Sequence, residues 1–448
     1  MYETHSTFEK ITLFIKILIP ILITQVGIYL MNVFDTVMAG QVSAEDLAGV
    51  AIGSSLWIPV LTGINGILLA ISPIVAQLSG ANERAKIPFA VKQGLYLAIA
   101  ISLVMLILGY LFLDSILNLL SIEPEVQHVA KYYLTALGLG MVFLFSFNLM
   151  RSFIDALGQT KTSMLIILFA LPLNAFFNYM FIFGNFGAPQ LGGIGAGVAS
   201  AITYMISSIL SVMIVHKVQP FRAYQVFSNF VRPSISAWIE QLKIGIPIGF
   251  TIFFETSIFA AVTLFISAYD TITIAAHQAA MNFASIFYML PLAIAMALTI
   301  SVGFEVGGKR LIDARMYSFI GISSGLVLAT VSGVLIFILR EEVAQLYSNN
   351  PEVIVLMQQF LIFAVFFQLS DGFGTPIQGA LRGYKDVNIT LVIAFISFWI
   401  IGLPSGIAIA NLTTLGPFGY WMGLIIGLAT GAVILIIRLI YVIKSTKI

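Results

Sequence analysis

The stretch ITLFIKILIPILITQVGIYLMNVFDTVM, residues 11–38, decides the class of fold. It runs mostly apolar from Ile11 to Met38, with Lys16 near its start and Asp35 near its end as its only charged residues. A signal-peptide core is about 7–15 residues and ends at a small-residue cleavage site. This stretch is longer and has no such site, so it reads as a membrane-spanning helix, which needs about 20 mostly apolar residues.

The rest of the chain repeats that signal. Eleven further apolar stretches are expected to span, at about 47–77, 90–113, 128–150, 163–183, 193–215, 240–266, 274–303, 317–339, 353–380, 387–410 and 417–442. Over 448 residues the composition is 59% apolar and 9% charged. A soluble domain is nearer 45–50% apolar and about 25% charged. Such a chain lacks the polar surface to coat a water-soluble globule, and its solvent is the lipid bilayer. Transmembrane β-strands would give short alternating segments, not long continuous ones.

Charge placement sets the orientation, because Lys and Arg concentrate in cytoplasmic loops. With twelve spans and a cytoplasmic N-terminus, every basic residue but Lys131 and Arg340 falls on one side. A missed helix would scramble that alternation. Both termini are therefore expected inside a cytoplasmic (inner) membrane. The net charge of +1 and the lack of a basic tract argue against nucleic acid as a partner, and the absence of cysteine excludes disulfides and thiolate metal sites. The four histidines, His5, His128, His216 and His277, have no metal-ligand spacing. No metal site or cofactor is expected beyond a coupling ion.

The chain also repeats itself at a spacing of about 224–227 residues. Ser121-Ile-Glu-Pro-Glu-Val126 returns as Ser348-Asn-Asn-Pro-Glu-Val353, Leu191-Gly-Gly-Ile-Gly195 as Leu415-Gly-Pro-Phe-Gly419, and Pro20 as Pro247. Ala156-Leu157, with Gly158 and Lys161, returns as Ala380-Leu381, with Gly383 and Lys385. An all-α membrane fold of two six-helix lobes follows: 1–215, a cytoplasmic linker at 216–239, and 240–448. Each half holds six helices, so the halves share one orientation and are expected to be related by a pseudo-two-fold along the membrane normal, with the substrate site between them.

Three acids, Asp35, Glu255 and Asp371, fall well inside predicted spans. Each costs roughly 2.5–3.5 kcal/mol if it faces lipid, so each must face a cavity, a partner or a bound cation. The sequence places no Lys or Arg at the same depth, which leaves cation binding or protonation. At an offset of 227 residues, Asp35 falls on Val262 and Glu255 on Ile28. The acids are thus additions to the duplicated scaffold. Asn174 and Asn178 are one helical turn apart and share a face, so they are candidate partners for Asp35, their amides able to donate to a carboxylate or ligate a cation, with packing between helices as the alternative role. Glu255 and Asp371 share a pocket if the first and fourth helices of the second lobe pack together. The intramembrane prolines Pro20, Pro59, Pro73, Pro172, Pro247, Pro291, Pro376 and Pro404 are candidate kinks.

These residues resemble the multidrug and toxic compound extrusion family, in its NorM-type branch, along essentially the whole chain. The resemblance is carried by Asn32-Val-Phe-Asp-Thr-Val-Met-Ala-Gly40, Phe253-Phe-Glu-Thr256, Ala275-Ala-His-Gln278 with Asn282, and Ala380-Leu-Arg-Gly383. It implies export of amphipathic, often cationic, small molecules in exchange for H⁺ or Na⁺. It also implies that Glu255 and Asp371 match the family's cation-site acids, where Na⁺ is one candidate ion. Asp35, Asn174 and Asn178 match its N-lobe polar cluster. Asn178 stands where some relatives carry an acid, and Phe367 where some carry a tyrosine. A major facilitator protein would carry an Asp-Arg-x-Gly-Arg-type loop after the second span, where this chain has Ser79-Gly-Ala-Asn-Glu-Arg84. A lipid-precursor flippase would need buried basic residues for an anionic substrate. No nucleophile–base pair suggests an enzyme, and no Gly-x-x-x-x-Gly-Lys loop suggests nucleotide hydrolysis. The expectation is a monomeric, ion-gradient-driven antiporter.

Overall fold

The computed structural model describes residues 1–120 and 122–446. Ser121, which opens one repeated motif, and Lys447, one of the basic residues assigned to the cytoplasmic side, lie outside them. Among the described residues there is no strand, and twelve helices are long and apolar enough to cross a membrane. They are α1 (Thr7–Gly40), α2 (Ala44–Gly80), α3 (Arg84–Asn118), α4 (Pro124–Ala156), α5 (Thr160–Phe183) and α6 (Gly193–Lys217), then α7 (Ile235–Ile266), α8 (Thr271–Gly307), α9 (Leu311–Tyr347), α10 (Pro351–Gly383), α11 (Val387–Leu412) and α12 (Phe418–Ser445). Helix is the outcome that hydrocarbon enforces, because it satisfies each backbone amide within its own segment. Local chemistry then fixes the ends. Ser43 caps α2 by accepting from the Asp46 amide at 3.0 Å. Asn350 caps α10 by accepting from Glu352 at 3.0 Å, and Pro124 and Pro351 occupy first-turn positions where no amide donor is needed.

Most intramembrane prolines sit within continuous helix, including Pro20, Pro59, Pro172, Pro247, Pro291 and Pro376. The departures lie elsewhere. α2 breaks at Leu69–Ala70, just ahead of Pro73, and α11 widens to a π-helix over Ile396–Gly402, just ahead of Pro404.

The chain divides into two compact units: Met1 with Ile19–Gly245, and Tyr2–Leu18 with Ile246–Ile448. Both changes of unit fall within a helix, α1 or α7, one residue before the repeated prolines Pro20 and Pro247. In the first unit α4 is the hub, packing on α6, α2 and α3. In the second it is α10, the fourth helix of that half, packing on α8, α9 and α12. Small residues permit these approaches: a Cβ at Gly140 would strike Ala201 on α6, and one at Gly379 would strike the backbone of Ala295 on α8. The duplication also shows in the backbone. Asn82 and Lys309 both hold φ at 58°, and Gly192 and Gly416 lie at 56° and 52°.

Each unit also holds a segment that precedes a repeated proline. In the second, Lys10 is buried and pairs with Asp313 at 2.9 Å, while the Thr4 hydroxyl meets that of Tyr317 at 3.2 Å. In the first, Lys92 donates to the Asn229 carbonyl at 2.5 Å and Gln241 to the Ala90 carbonyl at 2.8 Å. The outer surfaces are apolar, as with Leu103, Val104, Ile107 and Leu111 on α3 and Val327, Val331, Val334 and Ile338 on α9.

Candidate functional site

In the first unit, Asp35 is only 5% exposed although it carries a carboxylate. Two amides and a hydroxyl converge on it. Asn178 Nδ2 donates to Oδ1 at 2.7 Å, Asn174 Nδ2 donates to the same oxygen at 3.3 Å, and Ser200 Oγ donates to Oδ2 at 2.7 Å. Asn174 and Asn178 reach Asp35 together because a spacing of four puts both on one face of α5, and Asn178 also donates to Asn174 Oδ1 at 3.3 Å. The cluster predicted from sequence is therefore assembled, with Ser200 of α6 as an additional member. Ser200 was hidden among the several serines of that helix.

In the second unit, Glu255 on α7 and Asp371 on α10 are 9% and 4% exposed. They line one cavity of about 220 Å³, whose walls include Phe259, Met281, Tyr288, Phe367 and Phe398. The shared pocket that the sequence left open is formed. Asp371 Oδ1 accepts from Thr375 Oγ1 at 2.7 Å, and its Oδ2 is buried with no hydrogen-bond partner. Glu255 Oε1 accepts from Gln378 Nε2. Gln378 in turn accepts at Oε1 from Arg382 Nη2 at 3.3 Å.

Asp371, Thr375, Gln378 and Arg382 follow one another at spacings of four, three and four, so they form one polar stripe on α10. The sequence reading placed Arg382 in the loop after the tenth span. The structure corrects this: α10 runs on to Gly383, and Arg382, only 4% exposed, lies in its last turn. The spacing was legible, but positive-inside reasoning assigns basic residues near a span's end to the loop. Thr375, Gln378 and Tyr288 were likewise not singled out.

Among the described residues, none of Asp35, Glu255 and Asp371 has a Lys or Arg within ion-pair distance. Other acids are also buried. Asp155, in the last turn of α4, accepts from Ser163. Glu305, near the end of α8, is paired with Arg310 at 2.5 Å. Both lie near helix ends; Asp35, Glu255 and Asp371 lie further inside their helices. Oxygen-bearing groups in a dry enclosure, with no direct basic counter-ion, have the chemistry to hold a hard monovalent cation or a proton, and to release it when the enclosure changes.

A twelve-span helical protein that keeps such carboxylates inside each half is built as a membrane transporter. Comparison with known proteins specifies the kind. The MatE family model matches twice, at residues 20–180 and 247–407, with start points separated by the repeat spacing. The chain is 59% identical over 446 residues to the probable multidrug resistance protein NorM of Oceanobacillus iheyensis, covering 100% of both. It is 55% identical over 439 residues to the probable multidrug resistance protein NorM of Bacillus subtilis, covering 98% of this chain and 97% of that one. It superimposes with a TM-score of 0.89, at 18% identity and over 100% of both chains, on a solved structure described as the outward-facing conformation of a multidrug resistance MATE family transporter of the MOP superfamily. The chain belongs to the MatE family, the multidrug and toxic compound extrusion transporters, as its sequence motifs suggested.

Proposed function

We propose that the protein works in the cytoplasmic membrane, both termini inside, as an antiporter exporting amphipathic, often cationic, small molecules in exchange for H⁺ or Na⁺. Glu255 and Asp371 are the exchange site, and Asp35 with Asn174, Asn178 and Ser200 forms a second one. The observation that carries this reading is the cavity of about 220 Å³ in which two acids share aromatic and thioether walls. The walls suit a flat apolar body, and the acids suit a positive charge. A cationic substrate and a coupling cation compete for the same carboxylates, which is the requirement for exchange.

The energetics permit it. A monovalent cation moving inward through about 100 mV releases about 2.3 kcal/mol, and a tenfold gradient of a neutral substrate costs about 1.4 kcal/mol. One-for-one exchange against a monovalent cationic substrate cancels the electrical part, so the ion's concentration gradient then drives export. An anionic lipid precursor suits the cavity less well, because no Lys or Arg is among its lining residues.

The test is transport of a fluorescent cationic dye in proteoliposomes, under a pure Na⁺ gradient and then a pure pH gradient. Export driven by at least one is expected, and the responsive gradient names the ion. No export under either would overturn the reading.

A further inference from the structure

We propose that Phe398 is a specificity-determining residue: its ring shuts the substrate chamber off from a smaller polar compartment behind Glu255, and so excludes cations that carry a trailing arm. The inference rests on the exchange role proposed above and adds to it the shape of the substrate.

Two cavities meet at Glu255. The larger, of about 220 Å³, is the aromatic chamber already described. The smaller, of about 20 Å³, is bounded by Gly374, Thr375 and Gln378 of α10, Ser397 of α11 and Gly431 of α12. Glu255, Phe398 and Leu428 line both, so these residues form the wall between them. Glu255 supplies the charge that holds a cation, and Phe398 is the bulkier of the two apolar members. A space of roughly 10–15 Å³ is enough for one water, so the small compartment takes a guest of about that size. An arm of several atoms enters it from the chamber only where the Phe398 ring is gone.

The compartment has a chemistry of its own. Ser397 is fully buried, and its Oγ has no hydrogen-bond partner. Buried hydroxyls are ordinarily matched, so this one is a ready partner for a hydrogen-bonding group on an arm. Ser397 and Phe398 both lie in the π-helical stretch of α11, a departure from α-geometry that is frequent at functional sites. That stretch is pinned beside the acid. Trp399 Nε1 donates to the carbonyl of Phe254, the residue before Glu255, at 3.3 Å, and the rings of Phe395 and Phe254 lie 5.1 Å apart. On the other side, glycines of α12 make room for it: a Cβ at Gly431 would stand 3.1 Å from Ser397 Oγ, and one at Gly427 2.8 Å from the Ser397 carbonyl oxygen. Phe398 is itself only 5% exposed, so its ring is packed in place as a lasting partition.

The experiment uses N-methyl, N-propyl and N-hydroxyethyl acridinium dyes, which share one flat cation. The last two carry arms of equal length that differ in a terminal hydroxyl. Binding to the purified protein and export in proteoliposomes are both measured. The wild type should favour the N-methyl dye over both armed dyes by roughly tenfold. Phe398→Ala should close that gap and favour the hydroxyethyl arm over the propyl arm by about fivefold, the effect of one neutral hydrogen bond. Adding Ser397→Ala should erase the hydroxyl preference, since the two sites are coupled through the arm. Phe367→Ala, which enlarges the chamber at a residue that does not line the compartment, should admit the arms without preferring the hydroxyl. The proposal is overturned if the wild type takes armed dyes as well as the N-methyl dye, or if Phe398→Ala leaves the gap unchanged. It is also overturned if the hydroxyl preference survives Ser397→Ala or appears equally in Phe367→Ala. If Phe398→Ala does not reach the membrane, Phe398→Leu decides: a narrowed gap supports the partition and an unchanged one overturns it. Wild-type protein that binds the dyes but exports none under either gradient sinks the exchange reading instead, and the binding ratios still judge Phe398.

Discussion

Asn178 donates to Asp35 at 2.7 Å while its own amide oxygen, also buried, has no hydrogen-bond partner. Donor and acceptor thus stand side by side within one buried cluster, and in the exchange role proposed above the free oxygen is a second ligand for a cation at Asp35. Asp35→Asn is expected to lower export at least tenfold with unchanged protein abundance. Asn178→Leu removes a hydrogen bond to a charged group, worth roughly 1.5–3 kcal/mol, and should weaken cation dependence in the same direction. Dye efflux normalised to membrane protein measures both. If Asp35→Asn only reduces abundance, its role is structural.

Glu255→Gln and Asp371→Asn should each abolish export, since an amide of the same shape cannot take up a proton or balance a cation. Both variants should insert and resist heat about as well as the wild type. Efflux from everted vesicles, alongside detergent melting curves, separates the two effects, and normal transport by both variants would refute the coupling role.

Thr375 fixes the rotamer of Asp371 through its 2.7 Å hydrogen bond. Thr375→Val keeps the shape and removes the hydroxyl. The half-saturating concentration of the coupling ion should rise about tenfold, the equivalent of about 1.4 kcal/mol, with the maximal rate less affected. A titration of export against ion concentration measures it, and an unchanged midpoint would count against a positioned Asp371.

The close approach of α10 to α8 at Gly379 can be tested on its own. Gly379→Val drives a branched side chain into the Ala295 backbone, and overpacking of this kind costs typically 1–3 kcal/mol or more. Gly109→Ala in α3 is the control, since a Cβ there meets nothing; it should be neutral or stabilising by up to about 1 kcal/mol. Thermal unfolding of the purified protein should separate the pair clearly.

What was legible in the sequence follows from what each signal depends on. Span number and the repeat rest on the apolar runs and on Pro20, Pro247 and the Gly-rich turns, which are local, so both could be read. The Asp35 cluster was partly legible because Asn174 and Asn178 share a face by spacing alone, whereas Ser200 arrives from another helix through packing. The Glu255–Asp371 cavity depends on how α7 meets α10, which periodicity does not encode. Arg382 was misplaced for a different reason. Long basic side chains at a span's end are ordinarily drawn out toward water, and here a glutamine acceptor keeps one inside.

The changes of unit at Leu18 and at Gly245 have an evolutionary corollary. Suppose a six-helix ancestor was duplicated with this packing in place. Its leading segment would then already have belonged to a second copy, and two such ancestors would have traded arms as a swapped pair before a single gene joined them. The fused descendant keeps that exchange of segments, so a cut between α6 and α7 should yield fragments that need each other to fold.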